Sequence, residues 1–242
     1  MFKFGKTGAL LCSVVLAISL LSGCVSSADK AAAKDTADKF LSIVSSGSTE
    51  GINESCNDSV ATGEFVKLFD SETLKQQIFE DHDPSSFSEE TLAKLDEVCN
   101  LFANMVTGYE IQEIKPQDDG SLSVFATIDT AFPHDILRRQ STTDKVLATA
   151  DNYSTLHEED INTWSQELGD EATEAKILDD IFSETLDIYK EEIAASEPQK
   201  YALVLKLEKN KETDTYLITE VTDYASATEG ATKAAEETTV EE

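Results

Sequence analysis

The sequence predicts an α+β domain in which helices pack on one face of a curved antiparallel sheet made of two hairpins. Three observations support this class. Long stretches carry apolar residues at every third or fourth position, two pairs of short segments alternate with period two, and a long helical stretch separates the two pairs. Because single helices and strands do not alternate, a doubly wound parallel sheet is disfavoured. We expect one domain over residues 29–224.

The first half of this domain is predicted to be mostly helical. A helix is expected over residues 29–46, where Asp29 can cap the start and Gly47 ends the pattern. Shorter helical segments follow between residues 48 and 78. Ser88 is predicted to cap a strong helix that reaches about residue 107, since Phe87 and Leu92 have the spacing of a hydrophobic staple.

Two hairpins and a long helical segment are predicted for the second half. Residues 109–114 and 122–130 alternate around Asp118-Asp119-Gly120, and residues 201–207 and 216–221 alternate around a polar turn. The stretch 133–195 between them is predicted to be helical. Gly169 should divide it or bend it, and Thr155 with Glu158 forms a capping box.

The two ends of the chain have different compositions. Lys3 and Lys6 precede an uncharged apolar run over residues 9–21, which is the layout of a secretory signal and is too short to span a bilayer as a helix. Residues 225–242 contain one bulky apolar side chain, Val240, and are predicted to be a disordered acidic tail.

The apolar run ends in Leu21-Ser22-Gly23-Cys24, which resembles the lipobox of bacterial lipoproteins. The resemblance implies that residues 1–23 are removed as a signal peptide and that Cys24, linked to diacylglycerol, becomes the new N-terminus. It also implies a location at the cell membrane, on the extracytoplasmic face. Residues 24–28 are then expected to be a polar tether, with an ordinary cleaved signal as the alternative.

The charge of the processed chain limits its partners. Removal of residues 1–23 takes two lysines and no acid from a chain of net charge −29, which leaves −31. So acidic a surface repels phosphate backbones, and we expect no nucleic-acid partner. Anionic headgroups are repelled as well, so the membrane is expected to be a partner only through acyl chains on Cys24, with the body held off the surface.

Two cysteines remain inside the predicted domain. Cys56 and Cys99 each lie on an apolar helical stripe and should point inward. Outside the cytoplasm they could form a disulfide, which for a loop of this length would stabilise the fold by about 4 kcal/mol. Two buried free thiols are the equally open alternative.

A second resemblance covers roughly residues 29–223. Its marks are Ala37, Phe40 and Leu41 in the first helix, a Val-x-Ala-x-Ile strand at 124–128, and the closing strands at 202–207 and 216–221. These patterns resemble uncharacterised lipoproteins of Gram-positive bacteria with cone-shaped nuclear transport factor two-like, cystatin-like domains. The helical stretch 133–195 is longer than that fold's usual insertion.

No motif for a specific chemistry is evident. The histidines His82, His134 and His157 lack metal-ligand spacing, and no cofactor or metal is expected. Arg138 and Arg139 are expected to form salt bridges, with a carboxylate ligand as the alternative.

Aromatic residues of the helical stretch are the remaining site candidates, as core residues or as the lining of a ligand pocket. They are Trp164, Phe182 and Tyr189, together with Tyr153. The function predicted from these observations is a lipid-anchored binding or interaction domain without catalysis, whose partner is a small molecule or an envelope protein. The alternative is an envelope hydrolase or isomerase that uses a pocket carboxylate.

Overall fold

The computed structural model describes residues 25–80, 83–210 and 213–224. The predicted signal peptide, Cys24, His82 and the predicted tail lie outside the described residues. Within the described ranges, none of the helices is both long and apolar enough to cross a membrane.

The described chain is α+β, as predicted. The helices, in chain order, are α1 (Ser27–Val44), α2 (Asp58–Ala61), α3 (Glu64–Lys67), α4 (Ser71–Ile78), α5 (Glu89–Ala103), α6 (Gln140–Leu156), α7 (Glu158–Leu168) and α8 (Asp170–Ala194). The strands are β1 (Val106–Pro116), β2 (Leu122–Thr130), β3 (Gln199–Lys209) and β4 (Tyr216–Tyr224). Single 3-10 turns occur at Ile52–Glu54, Pro84–Ser86 and Ile136–Arg138.

Both predicted hairpins form, and they join into one open antiparallel sheet of order β1-β2-β3-β4. The central pair β2 and β3 runs without interruption from Leu122 opposite Leu207 to Thr130 opposite Gln199. Bulges interrupt the register of β1 with β2 and of β3 with β4. Such bulges increase the local twist, which accounts for a curved sheet.

The core lies between one face of this sheet and the helices. On α1 the apolar residues at three- and four-residue spacing are fully buried, and on the sheet the same is true of alternate residues of β2 and β3. These residues are Ala33, Ala37, Phe40, Leu41 and Val44 on the helix, and Leu122, Val124, Leu205 and Leu207 on the strands. One continuous cluster also includes residues of α5 and α8.

The stretch between β2 and β3 is a long antiparallel hairpin of helices, which we call the helical hairpin (α6, α7 and α8). Lys145 forms an ion pair with Glu192 near its base, and the Tyr153 hydroxyl donates to Asp180 at 2.8 Å farther along. Gly169, with a φ of 83°, separates α7 from α8, as predicted. At this φ an L side chain would be strained.

The predicted capping box at Thr155 is wrong. Residue 155 lies inside α6, and the helical run breaks two residues later, at His157. The spacing of Thr155 and Glu158 is a local pattern that allows a helix to begin there. Packing of α6 along α8 instead continues the helix through residue 155, and the local spacing carries no information about that packing.

The start of the domain also differs from the expectation. α1 begins at Ser27, two residues before the predicted start, because the Ser26 hydroxyl accepts from the Asp29 backbone N–H at 3.0 Å. Val25 is partly buried against the core. Residues 25–28, expected to be a polar tether, therefore belong to the folded domain.

Candidate functional site

Among the described residues, an apolar groove lies between α4, the 84–87 segment, α5 and α8. It consists of two adjoining cavities of about 530 and 170 Å³, and both are lined by Phe79. Ile78 and Leu178 form the two rims and are 38% and 45% exposed. We call this surface the α4–α8 groove. Its size is in the range of small-molecule sites.

Three phenylalanines form the floor of the narrower end. The ring centroid of Phe87 lies 5.9 Å from that of Phe79 and 4.9 Å from that of Phe182. Phe87 is buried, and the other two are half-buried. Tilted ring pairs at these distances contribute beyond the area that they bury, so the floor is a preformed apolar surface.

The wider end of the groove is mostly apolar and carries one ion pair at its edge. Lys75 forms an ion pair with Asp96 and a second one, at 3.6 Å, with Glu72. The hydrogen bond to Asp96 raises the pKa of Lys75, so the ammonium group stays protonated. Its positive charge is balanced by the carboxylates of Asp96 and Glu72. Leu92 and Pro84 line the groove beside this pair. The arrangement suits a ligand that is mostly apolar with one neutral polar end.

Parallel packing of α5 and α8 holds the groove walls in place. The Ser88 backbone N–H donates to Asp179 at 2.9 Å, and Lys94 donates to Asp187 at 2.6 Å about two turns farther along. Ser88 also caps α5 through the Thr91 backbone N–H, as predicted. Because the rim of α8 is fixed at residues on either side of Phe182, the groove does not depend on loop geometry alone.

Only one of the three predicted pocket aromatics lines this groove. Phe182 does, whereas Tyr189, about two turns along the same helix, packs against the main core. Trp164 lies on α7, where the Lys176 ammonium group sits 4.5 Å from its ring centroid. The sequence placed Phe182 on a helical stripe but carried no signal that α4 would face it.

A second, polar cluster lies within the helical hairpin. The Tyr153 ring stacks on His157 with centroids 4.3 Å apart, and the imidazole nitrogens lie 3.7 and 3.9 Å from Asp160 and Glu184. Burial, followed by the hydrogen bond to Asp180, raises the pKa of Tyr153 well above its usual range. A tyrosine held protonated in this way is a hydrogen-bond donor that links α6 to α8.

The remaining sequence candidates are not brought together into one site. His134 lies against Tyr201, with ring centroids 4.6 Å apart, and Arg139 forms an i, i+4 ion pair with Asp135. Among the described residues, no group of three or more His, Cys, Asp or Glu side chains could hold a metal ion.

Cys56 and Cys99 are present as buried free thiols. Burial raises the pKa of each thiol to about 11. Since the thiolate is the reactive form, neither cysteine is activated as a nucleophile. The sequence left open a disulfide or two buried free thiols, and the structure shows the free thiols.

Comparisons of the chain with protein-family models, with curated proteins and with solved structures found no match. The two resemblances given above therefore rest on the sequence patterns alone.

Proposed function

We propose that this chain is a lipid-anchored binding protein of the cell envelope, held at the extracytoplasmic face of the membrane by Cys24, and that the α4–α8 groove is its binding site. The anchor rests on the sequence Leu21-Ser22-Gly23-Cys24. The binding role rests on one observation, a preformed groove with a phenylalanine floor and two exposed apolar rims. Exposed apolar surface of this kind is costly in water unless it is covered by a ligand or partner.

A non-catalytic role is favoured over an envelope enzyme by the state of the groove carboxylate. Asp96 is the acid that lines the groove, and it is already engaged by Lys75. The ion pair engages one Asp96 oxygen, and apart from Lys75, Gln76 and Asp96 the residues that line the groove are apolar. The groove therefore offers mainly apolar contact, which favours binding over proton transfer.

The anchor is tested by Cys24→Ala in the full-length chain. We expect the variant to leave the membrane fraction and to lose labelling by a fatty-acid analogue, whereas Cys12→Ala, inside the predicted signal, leaves both unchanged. Retention and labelling of Cys24→Ala would refute the anchor.

Binding in the groove is tested with a neutral apolar fluorophore, Nile red, and a pair of matched leucine variants. Leu178→Asp puts a charge on the groove rim, and Leu147→Asp puts the same charge on a somewhat more exposed leucine of α6, away from the groove. We expect the first to reduce dye affinity at least tenfold and the second to leave it unchanged. Equal loss in both, or loss in neither, would exclude the groove as the binding site.

A further inference from the structure

The first residues of the described chain are fixed to one corner of the sheet. Asp29 forms an ion pair at 3.1 Å with Lys209, the last residue of β3, and Thr36 donates from its hydroxyl to the Tyr216 carbonyl oxygen at 3.3 Å. Val25 packs against the core. The N-terminal end of α1 is therefore attached to the β3–β4 hairpin and does not hang free.

This corner belongs to the end of the sheet that carries both hairpin turns. Pro116 pairs with Leu122, Leu122 with Leu207, and Leu207 with Ile218, so the two turns are neighbours. We call this the turn end. At the opposite end Thr130 pairs with Gln199, and there the chain leaves β2 for the helical hairpin and returns from it.

Covalent geometry leaves almost no slack between the proposed anchor and this end. Residue 24 directly precedes Val25, and consecutive Cα atoms are about 3.8 Å apart. An acylated Cys24 would thus sit within about 4 Å of a residue that packs on the core. A flexible tether, which would let the body turn freely, is missing from residues 25 onward because the Ser26 cap starts α1 at once.

Charge is distributed unequally between the turn end and the helical hairpin, which leaves the sheet at the opposite end. Residues 25–34, 115–121, 206–209 and 213–216 of the turn end contain five lysines and five acids, and the segment that bonds to Ile218 at this end adds Glu54 and Asp58. The helical hairpin, residues 140–194, contains fifteen acids and three lysines. A surface of anionic lipid repels the nearly balanced turn end less than it repels the helical hairpin.

We propose that the anchored protein has a fixed orientation, with the turn end against the lipid surface and the base of the helical hairpin directed away from it. This inference rests on the proposed anchoring at Cys24. Eight residue steps along β2, at about 3.3 Å each, place the two ends of the sheet about 26 Å apart. The turn end then faces the headgroups, instead of the whole body standing off the surface as the net charge alone predicts.

Energy transfer from single labelled cysteines to a dye in the membrane tests this orientation. Gln117→Cys places a label in the β1–β2 turn, and Ala195→Cys places one between α8 and β3; both residues are exposed, while Cys56 and Cys99 are buried and react slowly. With the lipidated full chain in vesicles containing anionic lipid, we expect higher transfer efficiency at position 117 than at position 195. Equal transfer, or higher transfer at 195, would overturn the orientation.

Two controls separate this inference from the proposed anchor. A flexible ten-residue Gly-Ser segment inserted between Cys24 and Val25 should abolish the difference between the two labels while the protein stays bound. Cys24→Ala should abolish transfer at both labels. Transfer that persists in Cys24→Ala would refute the anchor itself, whereas a difference that survives the insertion would refute the role of the short connection.

Discussion

On α1 five apolar side chains have no exposed surface, whereas α7, the middle helix of the helical hairpin, has no buried residue. The contrast extends to the neighbouring elements. β2 and β3 bury one whole face in Leu, Val, Ile and Ala, while α6 buries Thr142 and Tyr153 alone. Two parts of one chain are thus held together by different interactions.

Polar contacts on the surface hold most of the helical hairpin in place. Lys145 of α6 pairs with Glu192 of α8, and Tyr153 of α6 donates to Asp180 of α8, which also lies 3.2 Å from Lys176 of its own helix. Exposed ion pairs of this kind contribute about 0–1 kcal/mol each. Burial of one leucine or phenylalanine contributes more than several of them. The difference teaches that the core between the sheet, α1 and the buried face of α8 determines the stability of this protein, and that α6 and α7 are an outer layer attached to α8.

The largest expected effect is the loss of a core side chain from the α1 layer. Phe40→Ala should lower the free energy of unfolding by about 3–5 kcal/mol, because it leaves a cavity beneath the sheet. Leu156→Ala in the hairpin, where the side chain is 76% exposed, should change it by less than about 0.5 kcal/mol. Urea denaturation of both variants measures the difference, and similar losses would show that the hairpin carries a core of its own.

The two buried thiols make the stability of the folded domain depend on pH. Folding raises the pKa of Cys56 and Cys99 from 9.0 to about 11, so the folded state binds these protons more tightly than the unfolded state. The resulting stabilisation is complete below pH 9 and is lost as the pH rises from 9 to 11. Tyrosines whose pKa is raised by folding contribute in the same direction. Because a Cys56→Ala, Cys99→Ala variant lacks the thiol contribution, its free energy of unfolding should decline less steeply between pH 9 and 11 than that of the parent. An equal decline would place the effect on the tyrosines.

A smaller effect is expected for the hydrogen bond that links α6 to α8. Tyr153→Phe removes the donor to Asp180 and should cost about 1.5 kcal/mol. Tyr109→Phe is the matched control in the body, since its hydroxyl also donates to a carboxylate, that of Asp38, at 3.1 Å but in an exposed setting. Thermal unfolding should show the larger loss for Tyr153→Phe. A larger loss for Tyr109→Phe would contradict the stabilising role of the hydrogen bond between Tyr153 and Asp180.

Local patterns predicted most elements because their information lies within a few residues. Ser88 with Leu92, Asp118-Asp119-Gly120 and Gly169 each specify a cap or a turn through their own hydrogen bonding or backbone freedom. These local patterns do not specify which strands and helices pack against one another. The union of two hairpins through β2 and β3 depends on residues 69 positions or more apart, such as Thr130 and Gln199, and no local spacing encodes it.

Of the three aromatics predicted as the lining of a ligand pocket, one lies in the α4–α8 groove, for the same reason. Trp164, Phe182 and Tyr189 share helical spacing, but the spacing does not say which helix will face each ring. Phe182 faces α4 and the 84–87 segment, Tyr189 faces the core, and Trp164 lies beside Lys176. The other two phenylalanines of the floor, Phe79 and Phe87, flank a polar loop, where a sequence pattern gives no reason to look for an apolar floor.

Amide hydrogen exchange of the full chain tests the contrast between the two regions most directly. We expect the amides of α7 and of the second half of α6 to exchange first, through local opening, and the amides of β2 and β3 to exchange last, at a rate set by global unfolding. Phe40→Ala should accelerate exchange in the sheet and leave α7 nearly unchanged. Exchange of α7 and β2 at one common rate, in the parent and in the variant, would contradict the account.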